Sequence, residues 1–159
     1  WLEAKRAPGC VVEIGSWHGR MAVVLAHAVH GDGHLHTVDP FDNSVGIGGT
    51  TFNPSNRDNL LQNMRNHAPG GSWTCHHRHS ADLAASWDLD PVSFLWIDGD
   101  HTEAGTAADW ASWLPHLAPG ARVALHDRHY PGPAMVLTHA LSIGWKVSAE
   151  VGSLVVLSQ

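Results

Sequence analysis

The chain has little of what usually fixes a protein's surroundings. Of its 159 residues only two are cysteines, Cys10 and Cys75, and they form no CxxC pair. Both fall at expected strand starts and read as buried free thiols of a cytoplasmic protein. Basic residues are also scarce: nine Lys and Arg stand against fifteen Asp and Glu, a formal charge of −6 with no basic cluster. That disfavours nucleic acid as a partner, because neutralising phosphates needs a positive surface. No apolar run approaches the roughly 20 residues needed to cross a bilayer. The first residues, Trp1 to Arg6, lack the apolar core of a secretion signal. They also lack a starting Met, so a trimmed chain with further N-terminal structure is expected. Charged residues make up only 15% and hydrophobic ones 43%, which fits one compact domain over residues 1–159 and argues against disorder.

Histidine and tryptophan are plentiful, at fourteen and eight. His76, His77 and His79 follow the alternation of a strand, so they cannot all face one metal ion. Trp96 and Trp110 read as core, whereas Trp17 is placed to face either a ligand or the core.

The most informative stretch is Val11-Val12-Glu13-Ile14-Gly15-Ser16-Trp17-His18-Gly19-Arg20. It reads as a buried strand, a tight turn and a helix starting near His18 whose N-terminus faces a ligand. A second apolar strand, Leu35 to Val38, ends in Asp39, where nucleotide-type folds grip a ribose. A dinucleotide fingerprint would need glycine where Trp17 stands, since an indole obstructs a pyrophosphate. The turn therefore suits an adenosine cofactor without a pyrophosphate, or else Gly15 and Gly19 only ease packing.

Further along, residues 1–7 read as a helix end, and Gly31-Asp32-Gly33 closes the first helix. Residues 40–55 read as an aperiodic lid or substrate loop. A helix is expected over Arg57–His67, a strand over Trp73–His77 and a short helix over Ala81–Trp87. Val92–Ile97 is almost wholly apolar, as in a central strand covered on both faces. A helix over Glu103–Leu117, a Pro119-Gly120 turn, a strand over Ala121–Leu125 and a helix over Ala134–Ser142 follow. Trp145–Val151 and Leu154–Leu157 flank Gly152-Ser153 as a hairpin. Alternating strands and helices predict an α/β fold: a mostly parallel seven-stranded sheet with helices on both faces and a C-terminal antiparallel hairpin.

The glycine turn, Thr37-Val38-Asp39-Pro40-Phe41-Asp42, Leu95-Trp96-Ile97-Asp98-Gly99-Asp100-His101-Thr102 and Leu125-His126-Asp127 resemble, in order and spacing, the class I S-adenosylmethionine-dependent methyltransferases. The resemblance is to their small-molecule, catechol-O-methyltransferase-like branch, which includes natural-product and sugar O-methyltransferases. It implies a Rossmann-like fold and S-adenosylmethionine as donor, with Glu13, Gly15, Ser16, Trp17 and Gly19 around its methionine half. It further implies Asp39 on the ribose hydroxyls, Ser80 and Asp82 beside adenine, and Asp98 at the cofactor edge. Such relatives hold magnesium at positions matching Asp98, His126 and Asp127. The chain departs from them at His126, whose imidazole shifts preference away from magnesium toward manganese and other transition ions.

Ligands bind outside the carboxyl ends of parallel strands. His101 is the first choice for a general base and His129 the second, because an imidazole titrates near neutrality. Each has a plainer alternative, His101 as a helix cap and His129 as a surface residue, while Asp100 would cap the helix beginning near Glu103. The expected partner is a small hydroxylated acceptor. A second copy of the chain could supply the cap that so short a chain lacks. An NAD(P)-linked oxidoreductase and a non-catalytic cofactor-binding module remain as alternative readings.

Overall fold

A computed structural model describes residues 9–29, 33–46 and 49–159. The expected helix end at residues 1–7 and most of the Gly31-Asp32-Gly33 cap lie outside them. In chain order the elements are β1 (Cys10–Ile14), α1 (Arg20–Ala28), β2 (Leu35–Asp39), β3 (Ser44–Val45), β4 (Thr51–Phe52), α2 (Pro54–His67) and β5 (Trp73–His77). They continue as α3 (Ser80–Ala85), β6 (Val92–Ile97), α4 (Glu103–Trp113), β7 (Leu117–Leu125), α5 (Pro131–Ser142), β8 (Lys146–Val151) and β9 (Leu154–Ser158).

The main sheet has seven strands in the order β5-β2-β1-β6-β7-β9-β8. The first five run parallel, and β9 enters antiparallel between β7 and β8. β1 and β6 are buried along their whole length. Their pleat sends alternate side chains into two cores. Val12, Ile14, Leu95 and Ile97 pack with Leu83, Trp110, Trp113 and Val136 from α3, α4 and α5. Val11, Phe94 and Trp96 pack with Leu25, Leu60 and Met64 from α1 and α2. Helices thus cover both faces, and the all-apolar sequence of β6 follows from having no wet side. Trp96 and Trp110 are core residues, at 4% and 3% exposure.

Several boundaries differ from the sequence reading. α1 begins at Arg20 rather than near His18, because Trp17 (φ 42°) and Gly19 (φ 79°) are left-handed and cannot continue a right-handed helix. Residues 40–55 contain a small hairpin, Ser44 opposite Phe52 and Val45 opposite Thr51. Two-residue strands are too short to show a period. α2 starts at Pro54, where a missing N–H costs nothing. Asn53 and Asn56 cap it reciprocally: Asn56 Oδ1 accepts from the Asn53 N–H, while Asn53 Oδ1 accepts from the Ser55 N–H. α5 likewise begins at a proline, Pro131, earlier than Ala134. α4 stops at Trp113 and β7 begins at Leu117, so Pro119-Gly120 lies within the strand. The β6–β7 register shifts there, between Val92–Leu117 and Phe94–Arg122, and Gly120 supplies the left-handed residue.

Candidate active site

Strand order reverses between β1 and β6, and the carboxyl ends of β2, β1, β6 and β7 form one level rim. Backbone bonds tie them in sequence: the Gly15 N–H donates to the Val38 carbonyl, Asp98 to Ile14, and His126 to Ile97. In an open α/β sheet this reversal is where ligands bind.

The β1 turn carries the donor side. Gly15 (φ 82°) is required twice, for its backbone and because a Cβ there would strike the Asp98 carbonyl. Gly19 packs against Leu60. Both glycines therefore have packing reasons independent of any cofactor. Glu13 is wholly buried below the turn, and that burial pushes its carboxyl up to about 8. Glu13 Oε2 and Ser16 Oγ are buried without a hydrogen-bond partner. Polar atoms so placed are costly unless a ligand satisfies them, and a cationic amine such as that of a methionine moiety would suit the carboxylate. Asp39 is 3% exposed and accepts backbone N–H groups from Trp17 (2.9 Å) and Phe41 (3.0 Å). Burial raises its pKa, against the pull of those donors. Each oxygen keeps a free lone pair, so ribose hydroxyls fit here too. These residues fit the adenosyl donor.

Trp17 is 43% exposed beside this turn. Its ring stacks on His18 (centroids 4.1 Å apart) and meets Phe52 of β4 edge-on at 6.5 Å. His18 is held in turn by Asn56 of α2, 2.7 Å from its Nε2. The short hairpin thus meets the β1 turn through an aromatic ledge.

On the β6–β7 side, Asp98, His101, His126 and Asp127 bring one ligand atom each within 4.8 Å of one another. Burial opposes the charge on Asp98, yet His101 and His126 outweigh it and hold its carboxyl below the usual range. The Asp98 carboxylate raises the pKa of both histidines against their burial. Asp127 sits at φ 51°, a left-handed conformation unusual without glycine. The loop that holds it there is braced: the Arg128 N–H donates to the Ser153 carbonyl, and the Arg128 guanidinium pairs with Glu150 at 2.7 Å. A divalent ion fits this donor set.

The remaining residues singled out above lie elsewhere. His129 is exposed, and among the described residues it makes no hydrogen bond or ion pair. The cap of α4 is Thr102, whose hydroxyl accepts from the Gly105 N–H. Asp100 acts one step earlier, accepting from the Thr102 N–H and hydroxyl. Ser80 accepts from the Trp113 indole at 2.8 Å. It also stands beside Asp109, which burial pushes up to about 6 despite the Ser80 hydroxyl. Asp82 lies exposed in the first turn of α3. Sequence reasoning missed Tyr130, whose ring lies 5.2 Å from that of His101, and Asp109, an acid on the buried face of α4. His76, His77 and His79 go to three different partners: His36, the Phe41 ring and Asp42.

Among the described residues, no helix is long and apolar enough to cross a membrane. No curated protein matches the chain. The fold is similar to that of the O-methyltransferase NovP (TM-score 0.74, 18% identity, covering 96% of this chain and 72% of that one). It is also similar to CalS11, a TDP-rhamnose 3'-O-methyltransferase of calicheamicin biosynthesis (TM-score 0.70, 14% identity, 96% and 72%). An O-methyltransferase from Bacillus cereus, solved in complex with SAH, aligns at TM-score 0.69 and 14% identity over 94% and 74% of the two chains. The family model for a methyltransferase domain matches residues 12–128, from the glycine turn to the end of the Asp127 rim. The chain therefore belongs to the methyltransferase-domain family and has the Rossmann-like fold of class I O-methyltransferases.

Proposed function

We propose that the protein transfers a methyl group from S-adenosylmethionine to a hydroxyl of a small molecule, such as a natural product or a sugar. The observation that carries this is the pairing, across one rim, of a buried donor side (Glu13, Ser16, Asp39) with an ionisable acceptor side (Asp98, His101, His126, Asp127). The donor supplies an electrophilic methyl group on a sulfonium. Glu13 would pair with its amine and Asp39 with its ribose hydroxyls, while Ser80 and Asp82 would stand on the adenine side. Holding both partners in line is the main contribution such a site makes, on the order of 7–11 kcal/mol in the best cases.

On the acceptor side, Asp98, His126 and Asp127 would hold a divalent ion, manganese being favoured over magnesium by the imidazole. Such an ion lowers the pKa of a bound hydroxyl. Without an ion, His101 would take the acceptor's proton, His129 on the loop after β7 being the second choice. The −6 charge supports a small acceptor rather than nucleic acid.

Calorimetry with S-adenosylmethionine and S-adenosylhomocysteine, followed by methyl transfer from labelled donor to a panel of hydroxylated small molecules, tests this reading. Binding of both, with turnover on at least one hydroxyl, is expected. A folded protein that binds neither would overturn it.

A further inference from the structure

We propose that His101 is a metal ligand, the fourth member of an Asp98–His101–His126–Asp127 centre whose two nitrogens and two oxygens select zinc over magnesium. The metal-binding claim stands by itself; only the ion's use in methyl transfer rests on the reading above.

The spacing of the four side chains carries the inference. Asp98 Oδ1 lies 3.0 Å from His126 Nδ1 and 3.5 Å from His101 Nε2. Asp127 closes the ring, with Oδ2 3.5 Å from His101 Nε2 and Oδ1 3.5 Å from His126 Nδ1. Of these four contacts only the 3.0 Å one is a hydrogen bond; the others are too long for a good N–H···O bond. His101 Nε2 is buried, points between two carboxylates and has no hydrogen-bond partner. Side chains that met only to bond one another would close these gaps. The gaps leave room for an ion: one donor atom from each of the four side chains lies within 4.8 Å of the rest, and ligands at about 2.0–2.1 Å in a tetrahedron lie about 3.3–3.4 Å apart.

The donor set then decides which ion. Magnesium demands near-octahedral oxygen ligation and keeps several waters, whereas imidazole suits zinc and its neighbours. Zinc also accepts a fifth ligand, so four protein donors leave room for an acceptor oxygen. His101 is built as a ligand would be. Its carbonyl accepts from the Gly132 N–H at 3.0 Å, fixing the backbone to the start of α5. The Tyr130 ring packs on its imidazole. A ligand needs this fixed orientation, and a nitrogen bound to an ion is unavailable as a base.

The full chain, stripped with a chelator, is titrated with zinc, cobalt and magnesium and read by bound-metal stoichiometry and the visible spectrum of the cobalt form. One equivalent of zinc should bind far more tightly than magnesium, with the intense cobalt bands of four- or five-fold coordination. His101→Ala should weaken zinc binding on the order of 100-fold and change the cobalt spectrum, and Asp98→Asn should do likewise. His76→Gln, at the separate histidine group on β5, should change neither. Circular dichroism confirms that each variant is folded. Zinc affinity and a cobalt spectrum unchanged by His101→Ala, or zinc binding abolished by His76→Gln instead, would overturn the proposal. So would a preference for magnesium. Calorimetry with S-adenosylhomocysteine on the same samples keeps the two readings apart: lost donor binding with intact zinc binding counts against methyl transfer alone.

Discussion

Trp17 donates its backbone N–H to Asp39 Oδ2 across twenty-two positions of sequence, at 2.9 Å. The β1 turn and the end of β2 are thereby stapled by a residue also proposed to hold the ribose. Asp39→Ala should abolish donor binding and cost about 1–3 kcal/mol of stability, because two backbone N–H groups lose a charged acceptor. Asp39→Asn keeps one carbonyl oxygen and should recover part of the stability but little of the binding. Urea unfolding and calorimetry with S-adenosylhomocysteine separate the two effects; full donor affinity in Asp39→Asn would exclude the ribose role.

The aromatic ledge should matter for ligands more than for folding. Trp17 is 43% exposed, so Trp17→Ala should change stability by only about 0.5 kcal/mol. Losing a stacking face should weaken ligand binding by a factor of about 2–12, from about 0.5–1.5 kcal/mol per aromatic contact. A raised KM for the acceptor with unchanged donor affinity places the ledge on the acceptor side. The reverse result places it on the donor, and no change in either removes Trp17 from the site.

Glu13 makes the fold sensitive to pH. Its folded pKa of about 8 lies above its ordinary 4.5, so between those values the folded state binds more protons than the unfolded one. Stability should therefore fall as pH rises from about 4.5 to 8. Glu13→Gln should flatten that slope in denaturant titrations. Because an amine requires the ionised carboxylate, donor binding near pH 7 should release a proton. Binding heats that are independent of buffer ionisation enthalpy would argue against the pairing.

His36 gives a slope of the opposite sign. Burial, then the neighbouring His34 and His76, lower its pKa from 6.5 to about 4, and its Nδ1 meets His76 Nε2 at 3.0 Å. The unfolded state binds the extra proton between those values, so stability should be lost as pH falls from about 6.5 to 4, by up to ~3 kcal/mol. His36→Phe should remove the loss if packing against Trp87 is kept; unfolding curves at pH 7 and pH 5 measure it.

Much of this fold is legible in the sequence because period and punctuation agree there. β6 reads as a covered strand since all six residues are buried, and Asp39, Asp98 and Asp127 stand out as acids just at or beyond apolar strands. What stayed hidden depends on backbone handedness and on distance in space. Nothing in Ser16-Trp17-His18 announces that Trp17 adopts φ 42° and delays α1. The hairpin of β3 and β4 is shorter than any readable period. Pro119-Gly120 has the residues of a turn, yet becomes a bulge because β7 extends to reach Val92 at the far end of β6. The position of His101 beside Asp98 and Asp127 needs α5 to anchor its carbonyl, a contact thirty-one residues away in sequence.

The left-handed backbone at Asp127 sets two kinds of selection against each other. A left-handed backbone costs an ordinary non-glycine residue about 1–2 kcal/mol and aspartate less, so a screen for heat resistance alone should accept Asp127→Gly, and melting curves would show a small gain. A screen for catalysis should reject the same change, since it deletes a carboxylate from the rim. The residue that persists at this position in related chains would then record which demand has ruled: glycine where only the scaffold is kept, aspartate where the rim is still in use.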